Sequence, residues 1–216
     1  MACVKKFWED PYLEQLETTV TSVQDDIITL KETILFAFSG GQQSDSGTIN
    51  GLEVLEARKE DKEIYYKLAK DHGLKVGDLV HTEIDWDKRY KLMKLHFAAE
   101  LVLEWVYQNY NHPEKIGANI SEDKARVDFY WDGNINSVFP ELNRAFAQLV
   151  EANLEIESNF SDVQNEVRYW RIDGFAKVPC GGTHIKRTGE IGAVRFKRSN
   201  TGKGKERIEI LLKTQN

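Results

Sequence analysis

The sequence predicts an α+β fold: a small N-terminal β-barrel over residues 1–84, then an α/β domain over residues 85–216 with a mainly antiparallel sheet and a long helix. Two observations predict it. Short segments of strand composition alternate with turns before Asp85, and apolar residues recur at helical spacing after it. The chain has 216 residues, of which 41% are hydrophobic and 30% charged, as is typical of a globular protein with one large or two small domains.

The first 84 residues contain five segments of strand composition, separated by turns such as Lys75–Asp78. Leu52–Ala57 also alternates between apolar and polar side chains, which is typical of a half-buried strand. Several short strands with regular turns predict a small barrel. The predicted strands are residues 18–23, 33–38, 52–57, 64–68 and 79–84.

A long helix is predicted from Asp87 to about Tyr110, because apolar side chains recur there every three or four residues. Asp85 or Asp87 can cap its start, and Pro113 marks the region of its end. For the remaining chain, composition and spacing predict strands at 115–120, 126–130, 155–160, 176–178, 193–197 and 208–212, helices at 140–151 and 163–169, and a hairpin tip at 202–205.

Four side chains on two segments form a candidate metal site. The i, i+4 spacing places His96 and Glu100 on one face of the long helix, and Cys180 and His184 flank the turn Gly181–Thr183. One sulfur, two imidazoles and one carboxylate are a ligand set that suits zinc. The alternative interpretation is that His96 packs on its helix and Cys180 is a small buried residue.

Other chemistries are disfavoured because their motifs are missing. His-Glu-x-x-His is absent, and Pro179-Cys180 is not followed by the second cysteine of a zinc deaminase. Neither a Walker A loop nor a Gly-x-Ser-x-Gly elbow occurs. Without a Walker A loop, no nucleotide cofactor is expected.

A second glycine-rich stretch, Ser39–Gly47, contains Gln42 and Asp45 at a predicted loop between strands. An ordinary hairpin turn would need the same glycines and aspartate. Because turn chemistry is common, spacing alone favours the turn over a functional site here.

Charge is distributed unevenly along the chain. The net charge is −6, yet residues 184–216 hold nine Lys or Arg and three Glu, a balance of +6 against −12 elsewhere. This basic end can meet a phosphate backbone, although a solvated hairpin face is the commoner reason for such a run. The candidate nucleic-acid contacts are Lys186, Arg187, Arg195, Lys197, Arg198, Lys203 and Lys205.

The sequence predicts a cytoplasmic protein. Its first ten residues lack the apolar core of a signal peptide, and no apolar run approaches the roughly 18 residues of a membrane span. The two cysteines lie far apart and suggest no disulfide framework. With Cys180 in the candidate metal site, a reducing compartment is expected, and Cys3 is interpreted as a bystander.

Read in chain order, three motifs resemble the AlaX family of alanyl-tRNA editing proteins, free-standing relatives of the alanyl-tRNA synthetase editing domain. Phe38–Ile49 resembles the family's glycine-rich segment, and Arg89–Leu101 resembles its histidine helix. Cys180–His184, followed by Thr188–Gly192, resembles its most specific signature. The resemblance covers nearly the whole chain, and the predicted barrel indicates the medium-length class.

The resemblance implies hydrolysis of the ester that joins serine or glycine to tRNA(Ala), with zinc held by His96, Glu100, Cys180 and His184. Two positions depart from the family pattern. Glu100 stands where the family has a second histidine, which makes the ligand set more negative and the metal a weaker Lewis acid. Lys115 stands where synthetase relatives have the glutamine of a His-x-x-Gln-x-Gly-Ser strand.

For such a hydrolase, the backbone N–H groups of Gly181, Gly182 and Thr183 are predicted to stabilise the oxyanion, and zinc to orient the substrate. The predicted substrate contacts are Gly117, Lys115, Gln42 and Asp45. Two alternatives stay open: a non-catalytic tRNA-binding module with structural zinc, and an editing enzyme for another mischarged tRNA, since threonyl-tRNA synthetase editing domains share a related metal constellation.

Overall fold

Two units make up the structure, a computed structural model that describes residues 2–213. Unit 1 contains the chain up to Ser39 and Gln43–Tyr90, and unit 2 contains Gly40–Gln42 and the chain from Lys91 onward. Both are built mostly from antiparallel strands with few helices, which confirms the predicted α+β class. The division falls inside the long helix, whereas the predicted domain boundary of 84/85 precedes that helix.

Unit 1 is built on a seven-stranded antiparallel sheet. Its elements are β1 (Val4–Lys5), α1 (Lys6–Glu9), β2 (Gln15–Gln24), β3 (Ile27–Leu30), β4 (Glu32–Thr33), β5 (Gly47–Ile49), β6 (Leu52–Glu53), β7 (Glu56–Glu60), β8 (Glu63–Lys67) and β9 (Leu79–Ile84). The sheet order is β6-β5-β9-β2-β3-β8-β7, and β1 pairs separately, in parallel, with β4. Only Val54 and Leu55 separate the two edge strands, so the sheet curves into a half-barrel. A closed barrel stays a prediction.

Two strand predictions in this unit need correction. The predicted strand at 33–38 is wrong beyond Thr33, because Ile34–Ala37 is buried without joining a ladder. Its backbone is satisfied by side chains instead: Phe36 N–H donates to Asp45 and the Ile34 carbonyl accepts from Arg89. The predicted strand at 52–57 is two strands, β6 and β7.

The predicted long helix is confirmed as α2 (Trp86–Asn109), 24 residues in length. Asp85 caps its start, since its carboxylate accepts from Lys88 N–H at 3.0 Å and its carbonyl accepts from Arg89 N–H. After Tyr110 the backbone turns to positive φ at two residues, and Pro113 follows. The helix thus ends where the sequence predicts.

Unit 2 combines two antiparallel sheets with helices. Its elements are β10 (Lys115–Ile120), β11 (Ala125–Tyr130), α3 (Phe139–Glu151), β12 (Glu157–Asp162), β13 (Val167–Ile172), β14 (Ala176–Pro179), β15 (Val194–Gly202) and β16 (Lys205–Leu212), with short 3₁₀ turns at Ile135–Val138 and Thr188–Ile191. One sheet has the order β10-β11-β16-β15 and the other β12-β13-β14. Within residues 2–213, no helix combines the length and apolar composition needed to cross a membrane.

The short helix predicted at 163–169 is wrong. Residues 163–166 form a turn, in which Glu166 N–H donates to the Val163 carbonyl and Glu166 has a φ of 56°. The chain then runs directly into β13, which pairs with β12 and β14. Alternate residues of β13 are buried, among them Arg168 and Trp170. This period of two predicts a strand, and the error came from extending a helical reading through the turn.

Candidate functional site

Three potential metal ligands converge in unit 2. The Cys180 sulfur, just beyond the end of β14, lies 3.2 Å from Nε2 of His96 on α2 and 3.3 Å from Nε2 of His184. All three ligand atoms lie within 4.8 Å of one another. Tetrahedral zinc with its usual bond lengths separates nitrogen and sulfur ligands by about 3.5 Å. The donor atoms therefore fit a zinc ion.

The turn after Cys180 is shaped by close packing on His96. Cys180 N–H donates to the Arg168 carbonyl of β13 at 2.9 Å, which fixes the start of the turn. A Cβ atom built at Gly182 would overlap the His96 ring and the side-chain amide of Gln42. Glycine is therefore required at position 182 for the turn to pass over the imidazole.

Glu100 lies beside two of the converging ligands. Its Oε1 is 3.5 Å from His96 Nε2 and 3.8 Å from the Cys180 sulfur, and its Oε2 accepts from Trp170 Nε1 at 2.9 Å. Burial raises the pKa of Glu100, but the hydrogen bonds with His96 and Trp170 lower it more, so its pKa falls below the ordinary value. Glu100 is thus an ionised carboxylate at neutral pH, and its role as fourth ligand stays a prediction.

The two histidines have opposite charge preferences without a metal. Burial lowers the pKa of His96, but the neighbouring Cys180 and Glu100 outweigh burial and raise it to about 10. Burial also lowers the pKa of His184, and positive charge on His96 and Arg168 lowers it further, well below its ordinary range. His184 therefore offers a free lone pair, whereas His96 must release a proton when a metal binds.

Each of the two candidate histidine ligands is held by a further side chain. His96 Nδ1 lies 2.7 Å from Gln42 Oε1, and His184 Nδ1 lies 2.8 Å from Ser158 Oγ. Metal-binding histidines commonly use the second ring nitrogen in this way, which supports the fit to a metal. The sequence analysis missed Ser158 and Trp170, which lie on β12 and β13; the alternation of buried residues along β13 is the signal that points to Trp170.

The predicted oxyanion groups differ in their hydrogen bonding. Thr183 N–H donates to Gln42 Oε1 at 3.3 Å, and Thr183 Oγ1 accepts from Gln42 Nε2 at 2.8 Å. Gly182 N–H has no acceptor among residues 2–213. Among the predicted groups, Thr183 N–H is therefore directed at a side chain, whereas the N–H of the buried Gly182 has no such partner among the described residues.

Arg168 is a third residue that the sequence analysis missed. It is buried, and its Nη1 donates to the Gly182 carbonyl at 3.3 Å. Burial lowers the pKa of Arg168 to about 10, although the Cys180 sulfur opposes this change. A cation is thus buried next to the turn that carries the sulfur.

The four predicted substrate contacts lie in different settings. Gln42 is fully buried against His96, while Lys115 is exposed on β10 and Gly117 has open space beside its Cα. Asp45 belongs to unit 1, where its carboxylate forms a buried ion pair with Arg89. The structure thus brings Gln42 to the metal ligands and gives Asp45 partners within its own unit.

The predicted basic surface lies on β15, β16 and the loop after His184. Arg198 is held by Glu206, Lys205 lies over the Tyr130 ring, and Arg187 donates to the Asn153 carbonyl. These three cations therefore have roles within the fold. The remaining predicted contacts are exposed, namely Lys186, Arg195, Lys197 and Lys203.

Comparison with known proteins adds independent information. The family model of the threonyl and alanyl tRNA synthetase second additional domain matches residues 167–209. The alanyl-tRNA editing protein AlaX-M of Pyrococcus horikoshii is 36% identical over 96% of this chain and 97% of its own length. The alanyl-tRNA editing protein AlaX-M of Methanosarcina barkeri is 33% identical over 95% of this chain and 97% of its own length. The alanine–tRNA ligase of Methanococcus maripaludis is 26% identical over 94% of this chain but only 25% of the ligase.

Proposed function

The chain belongs to the AlaX-M family of alanyl-tRNA editing proteins, and on that premise we propose that it hydrolyses serine, and also glycine, from mischarged tRNA(Ala). The observation that carries the proposal is the convergence of His96, Cys180 and His184 beside the unoccupied N–H of Gly182. The match of the chain to the editing part of an alanine–tRNA ligase supports the same reaction without an adenylation step.

The donor set supports zinc as the resident metal, held by His96, Cys180 and His184 with Glu100 as the fourth ligand. When bound, zinc would supply a positive charge that orients the aminoacyl ester and its terminal adenosine. Because four protein ligands leave little open coordination, orientation of the substrate is favoured over activation of water.

The protein's own groups would carry the rest of the chemistry. Gly182 N–H would donate to the oxyanion that develops as the ester carbonyl is attacked; one such donor is worth about 3 kcal/mol in other hydrolases. Gly117 would leave room for a small amino acid, and Lys115 would offer a donor to the serine hydroxyl. Such a polar contact is needed, since an apolar pocket discriminates poorly between serine and alanine.

Exposed cations on β15 and its hairpin support contact with the phosphate backbone of the tRNA. Arg195, Lys197 and Lys203 are the residues assigned to this role. The proposed partner is thus mischarged tRNA(Ala), which the protein would meet in the cytoplasm, and the hydrolysis needs no nucleotide cofactor.

The test is release of the amino acid from Ser-tRNA(Ala) and Gly-tRNA(Ala), with Ala-tRNA(Ala) alongside. We expect serine to be released while alanine is retained. In Cys180→Ala we expect kcat/KM to fall by at least about 100-fold, because loss of a ligand should exceed the 10- to 100-fold cost of losing an outer partner. Cys3→Ala, which removes the other cysteine thiol, is the matched control.

Three outcomes would contradict the proposal. Full activity in Cys180→Ala would remove the metal from the mechanism. Binding of tRNA with no release of any amino acid would instead indicate a non-catalytic tRNA-binding module. Release from a different mischarged tRNA, with Ser-tRNA(Ala) left intact, would assign the enzyme another substrate.

A further inference from the structure

Gln42 reaches the metal ligands because three residues of the glycine-rich stretch pack with unit 2. Gly40–Gln42 belongs to that unit, although the residues on either side belong to unit 1. Ile120 N–H donates to the Gly41 carbonyl at 2.8 Å, and Gln42 forms a bridge with Ile120. Gly41 has a φ of 85°, and a Cβ there would overlap the Ala118 carbonyl. The glycine therefore allows the segment to lie directly against β10.

The orientation of the Gln42 amide is fixed by Thr183. A backbone N–H can only donate, so the Gln42 atom that it contacts at 3.3 Å must be the carbonyl oxygen. The amide nitrogen then faces Thr183 Oγ1 at 2.8 Å, where it donates. Exchanging the two amide atoms would place the amide nitrogen against the Thr183 N–H and lose that hydrogen bond, whereas the Thr183 hydroxyl could donate to the exchanged oxygen.

This orientation determines which nitrogen of His96 carries a proton. The same Gln42 oxygen lies 2.7 Å from His96 Nδ1, and an amide oxygen can only accept. His96 must therefore be protonated at Nδ1. In a neutral ring, the lone pair is then on Nε2, the atom that lies 3.2 Å from the Cys180 sulfur.

We infer that Gln42 is a positioning residue of the metal centre, which holds His96 as the Nδ1–H tautomer with Nε2 directed at the metal. The same Gln42 amide hydrogen-bonds to Thr183 and to the His96 imidazole, and so it links the Gly181–Thr183 turn to His96. This role deepens the proposed function. Its effect on catalysis rests on that function, whereas its effect on zinc affinity does not. It reassigns Gln42 from substrate contact to support of a ligand, because the side chain is fully buried.

His184 provides an internal comparison. Its Nδ1 lies 2.8 Å from the Ser158 hydroxyl, which can either donate or accept. Ser158 therefore does not dictate the tautomer of His184, whereas Gln42 dictates that of His96. Loss of Gln42 should disturb zinc binding more than loss of Ser158.

The test compares the zinc affinity of full-length variants by chelator competition. Gln42→Met keeps the shape but none of the three hydrogen bonds, and we expect its zinc affinity to fall by about 10- to 100-fold, as for other outer partners of metal ligands. Gln42→Glu still accepts from His96 and Thr183, so we expect it to bind zinc at least as tightly as the wild type. Gln108→Met, at an exposed position of α2, is the matched control.

A second readout separates positioning from substrate contact. Because Gln42 is buried, Gln42→Met should lower kcat for Ser-tRNA(Ala) with little change in KM, and Gln42→Glu should restore zinc binding. Zinc affinity does not depend on catalysis. If the wild type does not release serine, the proposed function is contradicted. The ratio of the zinc affinities of wild type and Gln42→Met still tests the role of Gln42.

Long-range ¹H–¹⁵N spectra of the zinc-loaded wild type test the tautomer without any variant. We expect the His96 ring proton on Nδ1. A proton on Nε2 would overturn the inference, and so would a folded Gln42→Met that binds zinc as tightly as the wild type. If Gln42→Met does not fold, the wild-type spectrum and the zinc affinity of Gln42→Glu still test the positioning role of Gln42. Weakened zinc binding in a folded Gln42→Glu variant would contradict that role.

Discussion

Gly182 and Gly181 are adjacent glycines with different steric surroundings. A Cβ at Gly182 would overlap the His96 ring, whereas a Cβ at Gly181 would meet no atom within 4 Å. The packing of the imidazole therefore depends on one glycine of the pair. The sequence does not distinguish the two positions, because both are glycine and only the structure shows which one lacks space for a Cβ atom.

We expect Gly182→Ala to displace His96 and to destabilise the protein by about 1–3 kcal/mol, the usual cost of overpacking a buried site. Zinc affinity should fall with it, because the imidazole can no longer lie beside Cys180. Denaturant unfolding and chelator competition measure the two effects. Gly181→Ala should leave both quantities near the wild-type values, and equal losses in the two variants would show that the Gly182 contact is not the cause.

Asp45 shows how a motif residue can serve its own unit. Its carboxylate accepts from Arg89 Nε at 2.9 Å and from Phe36 N–H at 2.6 Å, all within unit 1. Arg89 also donates to two backbone carbonyls, of Pro11 and Ile34. A buried ion pair with these additional hydrogen bonds is costly to break on one side only. The substrate contact of Asp45 stays a prediction, whereas its hydrogen bonds to Arg89 and Phe36 are present in the structure.

The β15–β16 hairpin carries both the basic surface and a buried acid. Glu206 is 1% exposed and accepts from Arg198 Nε at 2.6 Å and from Asn200 at 2.8 Å. The Arg198 hydrogen bond is the main cause that holds the pKa of Glu206 below its ordinary value. Arg198 is thereby tied to Glu206, whereas Arg195 and Lys197 are exposed on the same strand.

The lowered pKa of Glu206 predicts a pH-dependent stability. A carboxyl group whose pKa is lower in the folded state stabilises that state above its unfolded pKa, and this contribution disappears as the pH falls through the folded value. At neutral pH we expect Glu206→Gln to lower the free energy of unfolding by about 1–3 kcal/mol, as for hydrogen bonds to a charged group. Denaturant unfolding between pH 7 and 3 measures it. The difference between wild type and variant should shrink below about pH 4.5; a constant difference would contradict the prediction.

The turn at 163–166 positions two residues beside candidate ligands that lie on other segments. It makes β12 and β13 a hairpin, which brings Ser158 and Trp170 to His184 and Glu100. A helix at 163–169 would have moved Arg168 and Trp170 away from these partners. The strand at 167–172 is therefore needed for the site, and the alternation of buried residues along β13 is the feature that indicates a strand.

Removal of the metal should act on the whole molecule. Because the proposed zinc would bind only the folded arrangement of His96, Cys180 and His184, saturation at 100 times the dissociation constant should add about 2.7 kcal/mol to stability. We expect a chelator to lower the thermal midpoint and added zinc to restore it. In Cys180→Ala the midpoint should not respond to either; an equal response there would place the stabilising metal elsewhere.

By itself, the sequence determined the α+β class, the long helix with His96 and Glu100 on one face, and the family through three ordered motifs. These follow from local periodicity, caps and short-range spacing, which each segment carries alone. Only the tertiary structure decided that Gln42 lies against His96, that Ser158 and Trp170 contact His184 and Glu100, and that position 182 has no space for a Cβ atom. The reason is physical: hydrogen bonds and steric contacts between residues as far apart as 42 and 183 depend on packing of separate segments, and no local pattern specifies them.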